Sequence, residues 1–573
     1  MIRRTLRSRR WIALSILAPL LSPSMSPSQE AAAVERRIPV LTAAQWTADL
    51  QVLAERLPEV HRDAFHTISR DEFQREIDDL ERRIPAIEDH EVIVELARIA
   101  ASIGDGHTGL LLTDHERNGF RRYPIVLYDF TDGLHLVAAP RSLAHAVGGR
   151  VTRIGNTDTE EALRRVAPLV PRDNEMGVRR LGPLYLRIPE VLEALGLIDD
   201  MERGTFTIEK DGRQMVVELE PVAAGRMPDR TALVLPADGS RLGEADLASM
   251  RDSQAPVPLY LRHPETPYWF EWIPENRMLY VQSNGISNDG EIPMAEFFAH
   301  VFAAADSLPL ERLVIDVRNN GGGNNMLNAP VVLGIVRRPE IDREDRLFVV
   351  IGRTTFSAAS HLVTYLERFT HATFVGEPTG GSPNHFGDAR RIELPNSGLR
   401  VAASTIYWQN SLPVPFEERV WTPPEIAAQL TSADWAQGID PALEAIVVHR
   451  PEEPLTETIA RAGREGGPEA ALAAFEEWKA DPVHAYATVE RELNSAGYRL
   501  MDENRVDEAV AVLYVNARAY PESVNVWDSL GDAYRTAGRA AEAIEAYERA
   551  AAMDPNGSLG ASAGRKAEEL RGT

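Results

Sequence analysis

Apolar side chains recur at helical spacing between residues 41 and 103, a pattern that indicates a small helical bundle. Pro58 and Pro85, with polar residues near them, divide the pattern into three stretches. We therefore predict a helical amino-terminal domain over residues 34–118. Its apolar positions are Trp46, Leu50, Leu53, Leu57, Phe73, Ile77, Leu80, Val92, Val94, Leu96 and Ile99.

After residue 120 the spacing becomes that of short β-strands. Runs of apolar residues such as Ile125–Tyr128 and Leu134–Val137 are separated by turn residues. Asp211–Gly212 lies between two further runs, which is typical of a β-hairpin. One helix is expected near Glu160–Val166. This pattern predicts a small β-rich domain over residues 119–222.

Strand and helix patterns alternate over residues 268–452. Such alternation predicts an α/β core with mostly parallel strands, in which active sites lie at strand ends. Residues 223–267 are rich in Pro, Ala, Asp and Arg and have little periodicity, so we interpret them as a linker or crossover. In the core we expect strands at Met278–Gln282, Leu313–Val317, Leu347–Ile351 and Thr373–Val375, and helices at Met294–Ala305 and Ala358–Phe369.

The last hundred residues repeat with a period of 34, which is the length of a tetratricopeptide repeat. In that pattern, small residues let paired helices approach and a proline ends the second helix. We predict two to three such units over residues 453–573, the first a degenerate helix pair at Pro468–Val489, and expect the module to dock a protein partner. The matching positions are Trp527, Leu530, Gly531, Tyr534, Ala543, Tyr547, Ala550 and Pro555.

The amino-terminal segment has the features of an export signal. Five arginines precede an apolar run at Trp11–Leu21, and this run has about half the length that spans a bilayer. We predict a signal peptide over residues 1–33, export to the periplasm or the medium, and no membrane span after cleavage. Ser8–Ile12 also resembles a twin-arginine signal, and the choice of export route stays open.

Composition excludes several function classes. The net charge of −25 argues against nucleic acid as a partner. The chain has no cysteine, which excludes thiol catalysis and thiolate metal sites. Only three of the 61 basic residues are lysines, so a mechanism that needs a basic amine has few candidates.

Two segments of the core carry features of a serine hydrolase site. Leu313–Gly323 is an apolar strand that runs into three glycines, whose backbone N–H groups can turn outward as an oxyanion hole requires. A phosphate loop is discounted because the lysine of the Walker motif is missing. In Val349–Ser360, Ser357 falls between a strand and a helix, where the helix dipole favours a developing negative charge. Serine at a helix start is usually only a cap.

Together with Val375–Gly381, these segments resemble the tail-specific, or carboxy-terminal processing, proteases and their tricorn-type relatives over residues 90–445. The resemblance implies a multidomain α/β fold in which residues 119–222 form a PDZ-like domain. It also implies Ser357 as the nucleophile, with the backbone N–H groups of Gly322 and Ala358 as the oxyanion hole.

The chain departs from the tail-specific branch at the general base. That branch uses a lysine about 25 residues after the nucleophile, where this chain has Ser382, and no lysine lies within residues 211–478. A histidine among glycines, His107, resembles the place where tricorn-type enzymes keep their catalytic histidine. Imidazole can accept the serine proton near neutral pH. His385 is the alternative base.

Several acids are candidates for orienting the base. Glu417 and Glu418 lie roughly where tricorn enzymes place a glutamate, and Glu377, Asp105 and Asp388 are alternatives. His61 and His66 would not share a helix face at their spacing and have no evident third ligand, so we interpret them as surface or packing residues. We expect neither a metal nor a cofactor.

The sequence thus predicts an exported serine peptidase that cleaves a peptide or an unfolded protein segment through an acyl-enzyme on Ser357. Two alternatives stay open. One is a catalytically inactive binding or scaffold protein on the same fold, and the other is an esterase that uses the same residues.

Overall fold

The computed structural model describes residues 38–223, 247–412, 417–450 and 453–572. The predicted signal peptide and part of the predicted linker lie outside the described residues. Within those ranges, no helix is both long enough and apolar enough to cross a membrane.

The described residues form a multidomain α/β protein with a helical carboxyl-terminal module. The α-helices are α1 (Ala43–Val60), α2 (Arg70–Arg83), α3 (Asp89–Ala101), α4 (His115–Asn118), α5 (Thr159–Val166), α6 (Glu175–Tyr185), α7 (Pro189–Ala194), α8 (Met294–Ser307), α9 (Ala329–Val336), α10 (Ala358–Phe369), α11 (Ser432–Gln437), α12 (Pro441–Val448), α13 (Leu455–Ala480), α14 (Glu490–Asp502), α15 (Val506–Ala519), α16 (Val524–Thr536), α17 (Ala540–Met553) and α18 (Ser558–Arg571).

The strands of the described residues fall into two large sheets and three two-stranded pairs. They are β1 (Arg121–Arg122), β2 (Val126–Phe130), β3 (Gly133–Pro140), β4 (Arg150–Ile154), β5 (Thr157–Asp158), β6 (Gly204–Lys210), β7 (Arg213–Leu219), β8 (Val222–Ala223), β9 (Leu247–Ser249), β10 (Tyr268–Ile273), β11 (Met278–Ser283), β12 (Arg312–Asp316), β13 (Leu347–Ile351), β14 (Thr373–Gly376), β15 (Asn384–Gly387), β16 (Arg390–Glu393), β17 (Arg400–Ala403), β18 (Ile406–Gln409) and β19 (Ile426–Ala427).

The amino-terminal helices and the small β domain share one hydrophobic core. Trp46 of α1, Phe73 of α2 and Leu96 of α3 belong to the same buried cluster as Phe206 of β6. The cluster also includes Val401 of β17, so this core reaches the α/β domain. The predicted boundary at residue 118 therefore separates two patterns in the sequence but not two separate cores.

The sheet of the small β domain is antiparallel, with strands in the order β2-β3-β4-β6-β7. Strand β5 pairs with β4, and β9 pairs with β3. Residues Leu247–Ser249 therefore belong to this sheet, although the sequence placed them in the linker. Three residues without an alternating pattern are too few to predict as a strand.

The α/β core is built on a six-stranded sheet in the order β10-β11-β12-β13-β14-β19. Strand β10 is antiparallel to β11, and the remaining neighbours are parallel. Helices α8, α9 and α10 cover one face and α12 covers the other, so a strand such as Leu347–Ile351 is buried on both sides. Parallel strands place their carboxyl ends at one edge of the sheet, where the loops after β12, β13 and β14 meet.

The carboxyl-terminal helices pack in pairs, α14 with α15 and α16 with α17. Their glycines allow the close approach that the repeat pattern predicts, since a Cβ on Gly531 would lie 2.5 Å from the Tyr547 ring. The first helical unit begins at Leu455 rather than at the predicted Pro468. Helix α13 bends at Gly467, where φ is +78°, so its two halves replace the predicted pair.

Candidate active site

Ser357 lies in the turn between β13 and α10, at the edge where the parallel strands end. Its backbone has φ 54° and ψ −125°, a combination that non-glycine residues rarely adopt. Its side chain accepts no capping hydrogen bond from α10, so the residue does not act as the usual serine cap. Ser360, one turn later, is buried, and its hydroxyl donates to the backbone oxygen of Thr355; this hydroxyl is therefore structural.

The glycine loop, residues 320–323, packs directly against Ser357. The Phe356 N–H donates to the Asn320 carbonyl oxygen at 3.1 Å, which fastens the loop to the serine turn. Gly322 has φ +106°, and a Cβ there would lie 2.7 Å from the Ser357 Cβ. Glycine is therefore the residue that lets the loop approach the serine this closely.

The two predicted oxyanion donors differ in availability. Ala358 is the first residue of α10, and the start of a helix leaves its N–H without an intrahelical acceptor. The Gly322 N–H already donates to the Asn320 Oδ1 at 2.9 Å. In this arrangement the Ala358 N–H is open to an oxyanion, whereas the Gly322 N–H would have to share or release its bond to Asn320.

His107 lies on the loop after α3, and this loop folds over the strand ends. Its ring stacks on that of Phe356, with centroids 4.4 Å apart and planes 23° apart, so it lies beside the residue that precedes Ser357. The His107 Nδ1 is buried without a hydrogen-bond partner. Among the described residues neither ring nitrogen is bonded, and no hydrogen bond joins this ring to the Ser357 hydroxyl.

The surroundings of His107 keep its ring neutral. Burial lowers the pKa of His107, the charge of Asp173 opposes this, and the net shift is downward from the ordinary value of 6.5. A neutral imidazole with an unbonded nitrogen can accept a proton near pH 7. This is the condition that a general base must meet.

His385 lies next to His107, with parallel rings 5.7 Å apart, but both of its nitrogens are engaged. Its Nδ1 is 2.8 Å from the Ser382 carbonyl oxygen, which only accepts, so Nδ1 carries the proton. Its Nε2 then accepts from the His361 Nε2 at 3.0 Å, while the His361 Nδ1 accepts from Asn325 at 3.0 Å. Neutral His385 thus has no free nitrogen for the serine proton.

His361 supports the same assignment of protons. Burial and the neighbouring histidines lower the pKa of His361 to about 3. A neutral ring at this position is what the chain of hydrogen bonds from Asn325 to Ser382 requires. The sequence analysis did not include His361, because a histidine inside a helix of the core is usually a packing residue.

The acids considered as partners of the base are occupied elsewhere or exposed. Glu377 forms a bidentate ion pair with Arg353, at 2.6 and 2.8 Å. Glu417 is bound by Arg419 at 2.8 Å. None of the remaining three accepts a hydrogen bond from the His107 ring. Glu418 is exposed with no ion pair among the described residues, and Asp388 accepts from the Trp408 indole at 2.7 Å. Asp105 accepts from the His107 backbone N–H.

Asp105 instead holds the loop of His107 in place. Its carboxylate accepts from Ser404 at 2.8 Å and lies 2.9 Å from the His61 Nε2. The His61 Nδ1 accepts from the Asp63 N–H, so Nε2 carries the proton and donates to Asp105. His61 is therefore a buried packing residue, one of the two roles that the sequence analysis allowed, and it is also hydrogen-bonded to the loop.

The carboxylate whose charge raises the His107 pKa most is one that the sequence analysis missed. Asp173 accepts from the Gly106 N–H at 2.7 Å and from the Ser382 N–H at 3.3 Å, so it joins the two loops around the base. It precedes α6, where an Asp–Asn pair is typical of a helix start. Only the packing of α6 against the core brings it to this site.

Comparisons with known proteins add the following. A family profile for the tetratricopeptide repeat matches residues 524–556, which confirms the predicted repeat there. No curated protein matches the chain by sequence.

Solved structures similar to this chain include proteases. Mature CPAF is 15% identical, with a TM-score of 0.48, and the match covers 71% of this chain and 96% of that one. The photosystem II D1 C-terminal processing protease is 13% identical, with a TM-score of 0.31, and 70% and 99% are covered. The tricorn protease is 10% identical, with a TM-score of 0.31 and coverage of 71% and 36%. At such identities and scores, the chemistry of the site rests on its own geometry.

Proposed function

We propose that this protein is a serine peptidase-like hydrolase that cleaves peptide bonds through an acyl-enzyme on Ser357. The backbone of Ser357 is the main support. A non-glycine residue in such a region costs about 1–3 kcal/mol, and such strain concentrates at active sites. Since the side chain forms no capping bond, helix capping does not account for this conformation, whereas presentation of a nucleophile between the glycine loop and α10 does.

The proposed reaction follows serine hydrolase chemistry. The Ser357 Oγ attacks the carbonyl carbon of the substrate, and its proton passes to His107. The negative charge forms on the carbonyl oxygen, which faces the Ala358 N–H at the start of α10. The C–N bond then breaks, the leaving amine takes the proton from His107, and water hydrolyses the ester by the same steps.

His107 is the proposed base because it has an unbonded ring nitrogen, which His385 lacks. The hydrogen bond between His107 and Ser357 has to form on substrate binding, as catalytic hydrogen bonds often do. Asp173 is the proposed acid that stabilises the protonated ring, because its charge is the one that raises the His107 pKa most.

Labelling with a fluorophosphonate probe tests the nucleophile. We expect the probe to modify Ser357, and Ser357→Ala to lose both labelling and hydrolysis without loss of fold. Ser360→Ala is the matched control, because this hydroxyl only donates to the Thr355 carbonyl oxygen. Unchanged labelling in Ser357→Ala would place the nucleophile elsewhere.

The same experiment separates the alternatives. A binding or scaffold protein on this fold would bind peptides without labelling. An esterase would be labelled and would hydrolyse activated esters, but would leave the peptides of a protein digest intact.

We also propose that the protein is exported and that its repeats dock a protein partner. Support for export comes only from the arginines and the apolar run of residues 1–33, which lie outside the described residues. The amino terminus of the mature protein, determined by mass spectrometry after expression of the full chain, tests it. A protein retaining Met1 in the cytoplasm would contradict export.

A further inference from the structure

Arg180 of α6 lies beside the candidate catalytic residues. Its guanidinium carbon is 5.0 Å from the centroid of the Phe356 ring, the same ring on which His107 stacks. Phe356 is followed directly by Ser357. The guanidinium therefore lies within a side chain's reach of the place where a substrate must bind to be attacked.

Apart from the face of the Phe356 ring, the charge of Arg180 has no partner in the described residues. Its Nε is buried without a hydrogen bond, and no ion pair or other hydrogen bond of this side chain is found there. Neighbouring arginines are different, since Arg179 binds Asp129 at 2.8 Å and Arg353 binds Glu377 at 2.6 Å. An arginine is rarely left buried and unpaired, because desolvating a charge is costly.

Asp173 does not supply the missing partner. Its charge reaches Arg180 and opposes the lowering of the Arg180 pKa by burial, but the two side chains form no ion pair. Both carboxylate oxygens of Asp173 accept backbone N–H groups, from Gly106 and Ser382. Arg180 itself is half-buried, so a ligand that enters the site can still contact its guanidinium.

We propose that Arg180 binds a carboxylate of the substrate next to the scissile bond, and so determines the enzyme's specificity. The planar guanidinium fork matches a carboxylate in a bidentate geometry. The carboxylate comes either from an acidic side chain or from the end of the substrate chain. With a net charge of −25, the protein as a whole repels acidic ligands, so a local cation is needed to accept one. This inference rests on the proposed function for the position of the scissile bond.

The test compares peptides that differ only in the carboxylate. Cleavage sites in a digested unfolded protein are first mapped by mass spectrometry, and fluorogenic peptides of one cleaved sequence are then made. One pair has Glu or Gln beside the scissile bond, and another pair ends in a free carboxylate or an amide. For one of the pairs, we expect the wild type to favour the carboxylate about tenfold or more in kcat/KM.

In Arg180→Gln we expect this ratio to fall to about one, and in Arg180→Lys to a value in between, because lysine keeps the charge without the fork. Arg75→Gln, an exposed arginine of α2, is the matched control and keeps the wild-type ratio. The pair that responds identifies the source of the carboxylate. Equal loss on both members of a pair, or an unchanged ratio, would overturn the proposal, since it would mean that Arg180 only supports Phe356.

Binding distinguishes this proposal from the proposed function. Fluorescence anisotropy is measured on Ser357→Ala protein with labelled peptides of one unfolded sequence, chosen without reference to cleavage and made in the same Glu or Gln and free-carboxylate or amide pairs. If the wild type cleaves nothing, the proposed function fails. The carboxylate site would still be supported if the carboxylate peptide binds more tightly than its partner and Arg180→Gln abolishes this difference. If the protein that retains Arg180 binds the two peptides of each pair equally, the carboxylate site is excluded.

Discussion

The His107 ring has the chemical features of a base: it is neutral, buried on one side and unbonded among the described residues. His385 stacks beside His107 but has both ring nitrogens engaged. Hydrogen bonding therefore distinguishes the two histidines.

Replacing each histidine tests this difference. We expect His107→Ala to lower kcat on the order of 1000-fold, as loss of one member of a serine triad does. His385→Ala should lower kcat much less and reduce the melting temperature instead, because it removes a buried, hydrogen-bonded ring. Steady-state kinetics and thermal unfolding of both variants measure the two effects, and the reverse order of kcat losses would make His385 the base.

The pH dependence of activity reports the same ring. Protonated His107 cannot accept the serine proton, so activity is lost as pH falls through its pKa and is present above it. Because burial lowers this pKa, we expect the midpoint of the kcat/KM profile to lie below 6.5. In Asp173→Asn the charge that opposes this shift is removed, so the midpoint should fall further. A midpoint above 6.5, or one that rises in Asp173→Asn, would contradict the assignment.

At the scale of elements, the site is formed where three loops meet at the ends of β12, β13 and β14. The glycine loop is tied to the serine turn by the hydrogen bond from Phe356 to Asn320. The loop after β14 is tied to it by Gly380 and Gly381, whose N–H groups both donate to the Thr355 carbonyl oxygen. The geometry around Ser357 therefore depends on backbone contacts that side-chain bulk would disrupt.

Adjacent glycines provide a matched test of the glycine loop. Gly322→Ala would place a Cβ 2.7 Å from the Ser357 Cβ at φ +106°, whereas a Cβ on Gly321 meets nothing within 4 Å. We expect Gly322→Ala to lower kcat/KM by about 100-fold or more, comparable to loss of an oxyanion donor, and Gly321→Ala to change it by less than about threefold. Similar values for the two variants would mean that the loop does not shape the site.

At the scale of the whole molecule, the repeat module contacts the catalytic core. Tyr486 accepts a hydrogen bond from Gln429 at 2.5 Å, and Arg491 lies 3.8 Å from Glu417. Glu417 and Gln429 belong to the segment that contains Val420. This segment also contacts the site, because the Val420 carbonyl oxygen accepts from the Ser382 hydroxyl at 2.6 Å. The repeats are thus in contact with a segment that positions the loop beside the candidate base.

Removing residues 453–573 tests this contact. We expect the truncated protein to unfold at a lower temperature and to cleave a short peptide several-fold more slowly, because the segment around Val420 loses its partners. Tyr486→Phe, which removes one hydroxyl, should cause a smaller change in the same direction. If the truncated protein kept the stability and peptide activity of the full chain, the repeats would act only in binding partners.

Local patterns in the sequence determined the elements and the nucleophile candidate. Periodicity predicted Leu347–Ile351 and Ala358–Phe369 at their observed bounds, since buried strands and amphipathic helices are set by nearby residues. The period of 34 located the repeats for the same reason. The place of Ser357 between a strand and a helix, together with the resemblance to tail-specific proteases, pointed to it as the nucleophile.

Tertiary structure decided which residues surround Ser357. Asp173, Arg180 and His361 come from parts of the chain whose sequence signals are those of ordinary helices. Glu377 is removed as a partner of the base by Arg353, which the fold brings to it from 24 residues away. Hydrogen bonding and ion pairing between distant segments depend on positions in space, and spacing along the chain does not contain that information.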